Sequence, residues 1–297
     1  MSAPTAWLVT GAQGQLGREL TALLSGRPGD ELTALGRDRL DLTDEDGVRA
    51  TVRGWLAGAR AAGRRPVLLN AAAYTAVDAA ETDEDTALVV NGHAPGWLAQ
   101  EVAGAGRLVH LSTDYVFGGD ATEPYPVDAP VAPRSAYGRT KAAGERAVAA
   151  AGGDATVVRT AWVYSRHSAS FVRTMAGRAE AGAEVSVVDD QVGSPTWAAG
   201  LAAGLVALGE RAEPAPPVLH RTDAGAVSWF GLARAVYEEL GADPGLVAPT
   251  TTAAFPRPAP RPAWSVLDGG AWLAAGLPEP LPWREALHRA LAVPAGV

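Results

Sequence analysis

The sequence contains no cysteine, no long apolar run and no cluster of basic residues. Without cysteine, the 297-residue chain has no disulfide, no thiolate metal site and no cysteine nucleophile. No apolar run reaches the roughly 18 residues of a membrane-spanning helix, so we expect no membrane association. The net charge of −8 argues against nucleic acid as a partner, because phosphate backbones are held by clustered Lys and Arg.

Metal catalysis has no support in the sequence either. The five histidines are scattered, and none has the HExxH spacing of a zinc site. His110 lies in an apolar stretch, where a hydrogen-bonded core histidine is the expected role. The adjacent Asp189 and Asp190 could bind a divalent cation, although we expect them to cap a loop. We predict no metal.

The rest of the composition is typical of a large globular protein. Hydrophobic residues make up 47% and charged residues 20%, and the length predicts a main domain with a smaller lobe. The N-terminal segment enters an apolar strand pattern without the basic and hydrophobic regions of a secretory signal, so we expect a cytoplasmic protein.

A glycine-rich turn follows the first predicted strand, residues 6–10, and precedes a helical pattern. The spacing G-x-x-G-x-x-G lets the backbone approach a pyrophosphate and directs free helix N–H groups towards it. We favour dinucleotide binding over an ordinary strand-to-helix turn. The predicted contacts are Gly11, Gln13, Gly14, Gln15, Leu16 and Gly17.

The second predicted strand, residues 31–35, ends in Gly36-Arg37, where many dinucleotide-binding folds carry an acidic residue. An arginine there accommodates the 2′-phosphate of NADP, so we predict NADPH, with NADH possible. The alternative is that Arg37 is a solvated loop charge. Asp41 and Leu42 lie where the adenine edge is expected.

Further predicted strands end in small or polar residues, and the ends of parallel strands meet at one edge of a sheet. After strand 66–70, Ala71, Ala72 and Ala73 are expected at the cofactor. The helix predicted over 84–104 carries Asn91, which either bonds within the helices or contacts a ligand.

Strand 107–112 places Thr113 at the same edge, and the helix predicted over 136–148 places Tyr137 and Lys141 on one face. A cation beside the Tyr137 phenol lowers its pKa and favours general acid catalysis. The alternative for this YxxxK pair is an amphipathic surface pair.

Strands and helices alternate through residue 165, which predicts an α/β fold with a Rossmann-type doubly wound parallel sheet. The expected cofactor domain covers 1–165 and is completed by 196–222. Residues 166–195 and 223–297 are expected to form a smaller C-terminal substrate-binding lobe. Within the later residues we predict helices over 169–181, 197–210, 228–241, 264–275 and 282–292, strands over 184–188 and 218–221, and irregular structure over 249–262.

Several motifs together resemble the extended short-chain dehydrogenase/reductases, and within them the dTDP-4-dehydrorhamnose reductase family. They are the glycine turn, STDYVF at 112–117, YGRTK at 137–141, RTAWVY at 159–164, NAAAYTAVD at 70–78, the DQVGSPT loop at 190–196 and Arg261-Pro262. The resemblance implies NADPH-dependent reduction of the 4-keto group of a dTDP-4-keto-6-deoxyhexose by a monomer or homodimer.

The resemblance also implies roles for individual residues. Tyr137 would protonate the developing alkoxide while the pro-S hydride attacks C4, Lys141 would hold the nicotinamide ribose, and Thr113 would donate to the carbonyl oxygen. The residues expected to contact the sugar nucleotide are Thr75, Val77, Asp114, Tyr115, Trp162, Gln191, Arg257 and Arg261. Core packing is an equal alternative for Trp162, and surface charge is an alternative for the two arginines.

Two other functions stay open. A ketoreductase of secondary-metabolite sugar biosynthesis would share the catalytic residues and differ only in the lobe. A non-catalytic dinucleotide-binding regulatory subunit would share the fold, but retention of Thr113, Tyr137 and Lys141 argues against it.

Overall fold

A computed structural model describes residues 4–165 and 167–292. The strands are β1 (Thr5–Thr10), β2 (Glu31–Leu35), β3 (Arg65–Asn70), β4 (Arg107–Thr113), β5 (Asp154–Thr160), β6 (Val163–Tyr164), β7 (Val185–Val188), β8 (Val192–Gly193), β9 (Thr196–Trp197), β10 (Val218–His220), β11 (Val227–Ser228) and β12 (Val247–Thr250). The α-helices are α1 (Gln15–Leu24), α2 (Glu45–Ala61), α3 (Glu84–Leu88), α4 (Ala94–Val102), α5 (Ala136–Ala151), α6 (Phe171–Glu180), α7 (Ala198–Glu210), α8 (Trp229–Glu239), α9 (Gly270–Ala274) and α10 (Trp283–Ala292).

A six-stranded parallel sheet forms the centre, in the order β2-β1-β3-β4-β5-β10. The order reverses between β1 and β3, so the crevice for a ligand lies outside the carboxyl ends of these two strands. Helices cover both faces, as the predicted doubly wound α/β fold requires. No helix of the described residues is long and apolar enough to cross a membrane.

Alternate residues of each central strand face opposite layers of helices. Trp7 and Val9 of β1 pack with residues of α1 and α7 in one core, while Leu8 packs with residues of α2 and α4 in the other. All six residues of β1 are buried. Continuous apolar strands of this kind are typical of parallel sheets that are covered on both faces.

The helix predicted over 84–104 is interrupted by a π-helical turn, Val89–His93, between α3 and α4. The Asn91 side chain there bonds both backbone groups of Tyr74, accepting from its N at 2.8 Å and donating to its O at 3.0 Å. Helix α5 approaches so closely that a Cβ on Gly144 would lie 2.1 Å from the Asn91 carbonyl oxygen. Asn91 therefore bonds within the protein and fixes the loop after β3.

Most of the C-terminal residues pack in a separate hydrophobic cluster built from α6, α8 and α10. The short parallel pair β7 and β12 lies beside α8, and β6 pairs with β9. In contrast, α7 and β10 belong to the main sheet and its helix layer. The later residues are therefore divided between this cluster and the main sheet.

Two predictions for this part of the chain are wrong. Only Gly270–Ala274 of the helix expected over 264–275 is helical, because Trp264 and Leu267 form bridges to Val192 and Tyr125. The stretch 249–262 was expected to be irregular, yet it begins inside β12, which includes Pro249. That strand pairs on one side only, with β7, and edge strands tolerate proline.

Candidate active site

A cleft of about 710 Å³ opens at the carboxyl ends of the central strands. The glycine turn, the alanines after β3 and the first turns of α5 form its walls. Fourteen residues predicted from the sequence line it: Gly11, Gln13, Gly14, Gln15, Leu16, Arg37, Asp41, Leu42, Ala71, Ala72, Ala73, Thr75, Tyr137 and Lys141.

The glycine turn requires residues without a side chain at two positions. Gly11 has φ +69°, and a Cβ there would lie 2.7 Å from the Ala72 Cα. A Cβ on Gly17 would lie 2.0 Å from the Gly11 carbonyl oxygen, so helix α1 could not pack against the turn. Gly17 does not line the cleft but shapes the turn from below. The N-cap residue of α1 is Gly14, which has no side chain to accept a hydrogen bond from the first N–H groups of the helix. These N–H groups are therefore available to a ligand.

Arg37 lies at the far end of the cleft, next to Asp38, a carboxylate for which the sequence predicts no role. Arg37 is exposed and lines the cleft. The adjacent Asp38 accepts a hydrogen bond from Gln13 Nε2 at 2.8 Å, which links the end of β2 to the glycine turn. Asp41 accepts from the Thr43 backbone and hydroxyl, and these bonds lower the pKa of its carboxyl.

Helix α5 presents Tyr137 in its first turn. Ser135 caps the helix by accepting from Gly138 N at 3.1 Å, and a Cβ on Gly138 would lie 2.2 Å from the Tyr115 carbonyl oxygen. The Tyr137 ring meets the edge of the Tyr115 ring at a centroid distance of 5.6 Å. The Tyr-Gly sequence thus lets the start of α5 pack directly against the turn after β4.

Thr113 connects Tyr137 to Asp114. The Thr113 hydroxyl donates to Asp114 Oδ1 at 2.8 Å. When it turns to donate to the Tyr137 oxygen instead, that bond lowers the pKa of the phenol. Burial acts more strongly and raises the pKa of Tyr137 to about 12. The predicted lowering of this pKa by Lys141 is therefore wrong for this structure, because removal of the phenol from water dominates.

The Lys141 ammonium points along β4. It donates to the Leu111 carbonyl oxygen at 2.6 Å and lies 3.5 Å from His110 Nε2, and the side chain is only 2% exposed. Burial lowers the pKa of Lys141 to about 8, against the opposing effect of Glu145. Lys141 is the only lysine in the chain, whose other 24 basic residues are arginines.

A buried ion pair supports the second turn of α5. Glu145 accepts from Arg159 of β5 at 2.7 Å and from the Ser112 hydroxyl at 2.5 Å. Arg159 also donates to the Val127 carbonyl oxygen at 3.0 Å. These bonds hold α5 against the ends of β4 and β5. They therefore fix the position of Lys141 on α5 relative to Thr113 on β4.

On the side of the C-terminal lobe, Asp114 and Tyr115 lie in the turn after β4. Burial raises the pKa of Asp114 to about 6 and also raises that of the Tyr115 phenol. Trp162 has φ 47°, its ring stacks on Trp229 at 3.5 Å, and Gly193 lies against it. The packing role that the sequence left open for Trp162 is therefore present in the structure.

The two arginines predicted at the substrate diphosphate converge on one carboxylate. Asp78 lies 2.9 Å from Arg261 Nη2 and 3.6 Å from Arg257 Nε, and it also accepts from Ala259 N at 3.2 Å. Burial opposes ionisation, but these hydrogen bonds and charges lower the pKa of Asp78 overall. The arginines are therefore paired with a carboxylate and are not isolated surface charges.

The family of the chain follows from its match to known sequences. The family model described as the RmlD substrate binding domain matches residues 5–294. The chain belongs to the RmlD family.

Relatives of known name share nearly the full length of this RmlD-family chain. A probable dTDP-4,6-dihydroxy-2-methyloxan-3-one 4-ketoreductase of Streptomyces antibioticus is 51% identical, and the alignment covers 96% of this chain and 94% of the relative. A dTDP-4-dehydrorhamnose reductase of Streptomyces griseus is 50% identical, with 95% and 91% covered. The crystal structure of the Bacillus anthracis dTDP-4-dehydrorhamnose reductase in complex with NADP matches with a TM-score of 0.88 at 30% identity, covering 97% and 99% of the two chains.

Three buried polar atoms in the cleft have no hydrogen-bond partner among the described residues: Gln15 Oε1, Thr160 Oγ1 and Ser168 Oγ. Buried polar groups are normally paired, so these atoms fit a polar ligand. Together with the glycine turn and Arg37, they fit a dinucleotide. Sequence reasoning missed Thr160 and Ser168; only the position of Thr160 at a strand end was a signal.

Other predicted substrate residues lie away from the cleft of this RmlD-family protein. Gln191 donates to Thr252 Oγ1 at 2.9 Å within the lobe. Asp189 accepts from the Ser228 hydroxyl, and Asp190 accepts from Thr252 N, as expected for loop caps. Within residues 4–165 and 167–292, no three His, Asp or Glu side chains are grouped to hold a metal ion.

Proposed function

We propose that the protein reduces the 4-keto group of a dTDP-4-keto-6-deoxyhexose with NADPH, in a reaction of the dTDP-4-dehydrorhamnose to dTDP-L-rhamnose type. The observation that carries the proposal is that Tyr137 and Lys141 line the same cleft as the glycine turn, with Thr113 hydrogen-bonded to Tyr137 behind them. The names of the relatives support the substrate class. We expect the protein to work in the cytoplasm as a monomer or homodimer.

The cofactor is held by the residues that line the cleft. The first N–H groups of α1 and the glycine turn bind the pyrophosphate, Arg37 binds the 2′-phosphate, and Asp41 and Leu42 contact the adenine. Ala71, Ala72 and Ala73 allow close approach, and Lys141 holds the nicotinamide ribose. When bound there, NADPH supplies the hydride.

Tyr137 supplies the proton. The phenol is protonated at neutral pH, as an ordinary tyrosine is, so the group can donate to an alkoxide that forms beside it. Thr113 orients that phenol and donates a hydrogen bond to the substrate oxygen, for which its hydroxyl must turn from Asp114. The residues proposed to contact the sugar nucleotide remain Thr75, Val77, Asp114, Tyr115, Trp162, Gln191, Arg257 and Arg261.

Replacement of Tyr137 by Phe tests the core of the proposal. Because the proton donor is removed and the ring kept, we expect the turnover of a dTDP-4-keto sugar to fall by about 10²- to 10⁴-fold. NADPH affinity and thermal stability should stay near the wild-type values. Turnover within a few-fold of wild type would contradict the assignment. The matched control is Tyr237→Phe, which removes a hydroxyl that bonds Ala183 within the lobe.

A second candidate has support in one comparison. The Streptomyces antibioticus relative is named as a 4-ketoreductase with a substrate other than dTDP-4-dehydrorhamnose, and it is as similar as the Streptomyces griseus reductase. A ketoreductase of secondary-metabolite sugars would keep Thr113, Tyr137 and Lys141. Assay of a panel of dTDP-4-keto-6-deoxy sugars would separate the two, since each predicts a different preferred sugar. If no sugar caused oxidation of bound NADPH, a regulatory binding role would be favoured instead.

Replacement of Arg37 by Ala tests the choice of cofactor. Removal of the guanidinium should weaken the use of NADPH by about tenfold, which corresponds to roughly 1.4 kcal/mol. The use of NADH should change little, because it has no 2′-phosphate. Arg39→Ala is the matched control: this exposed arginine lies two residues on and does not line the cleft. Equal losses with both cofactors would contradict the role of Arg37.

A further inference from the structure

A row of polar side chains lies beneath the cleft, across three neighbouring strands. Thr10, Asn70 and His110 are direct cross-strand partners on β1, β3 and β4. Each is at most 1% exposed. Two residues earlier, the same face of each strand carries a core leucine. The polar groups of this row therefore need partners inside the protein, because water does not reach them.

Hydrogen bonds connect the row to Lys141. The Thr10 hydroxyl donates to Asn70 Oδ1 at 2.7 Å, and Asn70 Nδ2 lies 2.9 Å from His110 Nδ1. His110 Nε2 lies 3.5 Å from Lys141 Nζ, which itself donates to the Leu111 carbonyl oxygen at 2.6 Å. The row thus begins under the glycine turn and ends on the only lysine of the chain.

The backbone of Ala72 fixes the orientation of the Asn70 amide. Ala72 N lies 3.3 Å from Asn70 Oδ1. A backbone N–H can only donate, so the atom that faces it must be the amide oxygen. The Asn70 NH₂ group consequently faces His110 Nδ1. Since an NH₂ group also only donates, His110 Nδ1 must accept.

This orientation fixes the tautomer of His110. A neutral imidazole whose Nδ1 accepts carries its hydrogen on Nε2. An imidazolium would place a second N–H against the Asn70 NH₂ group, and burial together with the charge of Lys141 holds the pKa of His110 well below its usual range. The Nε2–H group therefore faces Lys141 Nζ. An ammonium has no lone pair to accept that hydrogen, whereas a neutral amine has one.

We propose that Asn70 and His110 are positioning residues that weaken proton binding at Lys141 by directing the His110 Nε2–H group at its side-chain nitrogen. The lowered pKa of Lys141 agrees in direction, with burial as the main cause. The other charged or titratable groups near it are Glu145 and Tyr137 on its own helix and Arg159 of β5, which pairs with Glu145. Glu145 opposes the row by stabilising the ammonium.

The composition of the chain supports a role that needs a lysine. The 24 other residues of the Lys and Arg class are all arginines, and an arginine stays protonated at any physiological pH. An arginine at position 141 could not respond to the Nε2–H group by losing a proton. The importance of this effect for turnover rests on the proposed function, but the effect itself does not.

The first test measures the tautomer of His110 in the unaltered protein by ¹⁵N NMR of labelled histidine, with His110→Gln used only to assign the signal. We expect neutral His110 with its hydrogen on Nε2 throughout pH 6–9. A hydrogen on Nδ1, or an imidazolium signal in that range, would overturn the proposal. The result is read from the wild-type protein, so it does not depend on whether a variant folds correctly.

The second test follows the titration of Lys141 by NMR of the protein labelled with [¹³Cε, ¹⁵Nζ]lysine, which gives one side-chain signal. Asn70→Asp places an acceptor opposite Nδ1, moves the hydrogen of His110 there and exposes a lone pair to Nζ. We expect the proton affinity of Lys141 to rise at least tenfold together with this change of tautomer.

The matched control is Thr10→Val, which removes a hydroxyl from the start of the row while Ala72 N still orients Asn70. It should leave the titration of Lys141 unchanged. A Lys141 titration that is unchanged in Asn70→Asp, or that shifts without a change of tautomer, would contradict the role of His110. Both measurements use the protein without substrate, so their results do not depend on the proposed reductase function. Failure of that function and failure of this proposal can therefore be distinguished.

Discussion

The cofactor side, which is the cleft itself, and the set of carboxylates and arginines towards the C-terminal lobe are built from different parts of the polypeptide. The cofactor side consists of the glycine turn and the alanines after β3, where the backbone itself forms the surface. The side towards the C-terminal lobe consists of Asp78, Asp114 and two arginines, which already bond one another or their neighbours. Binding on the first side depends on the absence of larger side chains, which would keep a ligand away from the backbone. Binding on the second side depends on exchanging one partner for another.

This difference predicts that the two sides respond differently to substitution. An added methyl group on the cofactor side meets backbone that cannot move away. A changed side chain on the lobe side alters charge and pairing, so its effects depend on pH and on which ligand is measured.

Gly17→Ala should have the largest effect. The added Cβ would lie 2.0 Å from the Gly11 carbonyl oxygen, so α1 must move relative to the turn. We expect a loss of about 3 kcal/mol in NADPH binding, on the order of a hundredfold in Kd, with a lower Tm. Titration of NADPH fluorescence and a thermal melt would measure both.

The matched control for Gly17→Ala is Gly58→Ala, at an exposed position three residues before the end of α2. A Cβ there meets nothing within 4 Å, so the substitution should raise stability by about 0.5–1 kcal/mol and leave NADPH binding unchanged. Wild-type affinity in Gly17→Ala would show that the backbone of this side is not rigid, and the contrast between the two sides would fail.

The same difference explains what could be predicted from the sequence. The strands of the main sheet, the glycine turn and thirteen of the fourteen lining residues follow from local sequence patterns and from the rule that parallel strands present their ends at one edge, whereas Thr75 follows from the resemblance. These features depend on residues close together in the chain. For that reason the bounds of β1 to β4 agree with the predictions to about one residue.

What the sequence could not predict depends on distant partners. Asp78 and Arg261 are far apart in the chain, and neither neighbourhood indicates their pairing. Trp264 and Leu267 have helical spacing but pair with Val192 and Tyr125 instead. Similarly, His110 has the pattern of a core residue, and only the fold brings its Nε2 to Lys141.

Asp114→Asn should have the second largest effect, on stability. Burial raises the pKa of Asp114 from its usual value to about 6, so the folded state binds more protons than the unfolded state between about pH 4 and 6. The contribution of Asp114 to the free energy of unfolding therefore falls as pH rises through that window. Above about pH 6, the ionised carboxylate destabilises the folded state by about 2–3 kcal/mol. Asn carries no such penalty.

The measurement for Asp114→Asn is urea unfolding at pH 4.5 and pH 8. The variant should exceed wild type in stability at pH 8 and approach it at pH 4.5. Asp128→Asn is the control: this carboxylate is exposed, and its replacement should change stability by less than about 0.5 kcal/mol at both values. A difference between Asp114→Asn and wild type that did not vary with pH would contradict the burial argument. Because Asp114 is proposed to contact the sugar, its penalty would be a cost of function.

Arg261→Ala should have the smallest effect of the three, and on one ligand only. Arg261 is 16% exposed and 2.9 Å from Asp78, whereas Arg257 is 53% exposed and 3.6 Å away. A diphosphate must replace the Asp78 carboxylate, so only the surplus of the new bonds favours binding. We expect Arg261→Ala to raise the KM of the dTDP sugar about tenfold, roughly 1.4 kcal/mol, and Arg257→Ala to raise it less. NADPH affinity should be unchanged in both, since neither arginine lines the cofactor cleft. If NADPH affinity fell equally, the two sides would not be independent, and the contrast between backbone and side-chain recognition would have to be abandoned.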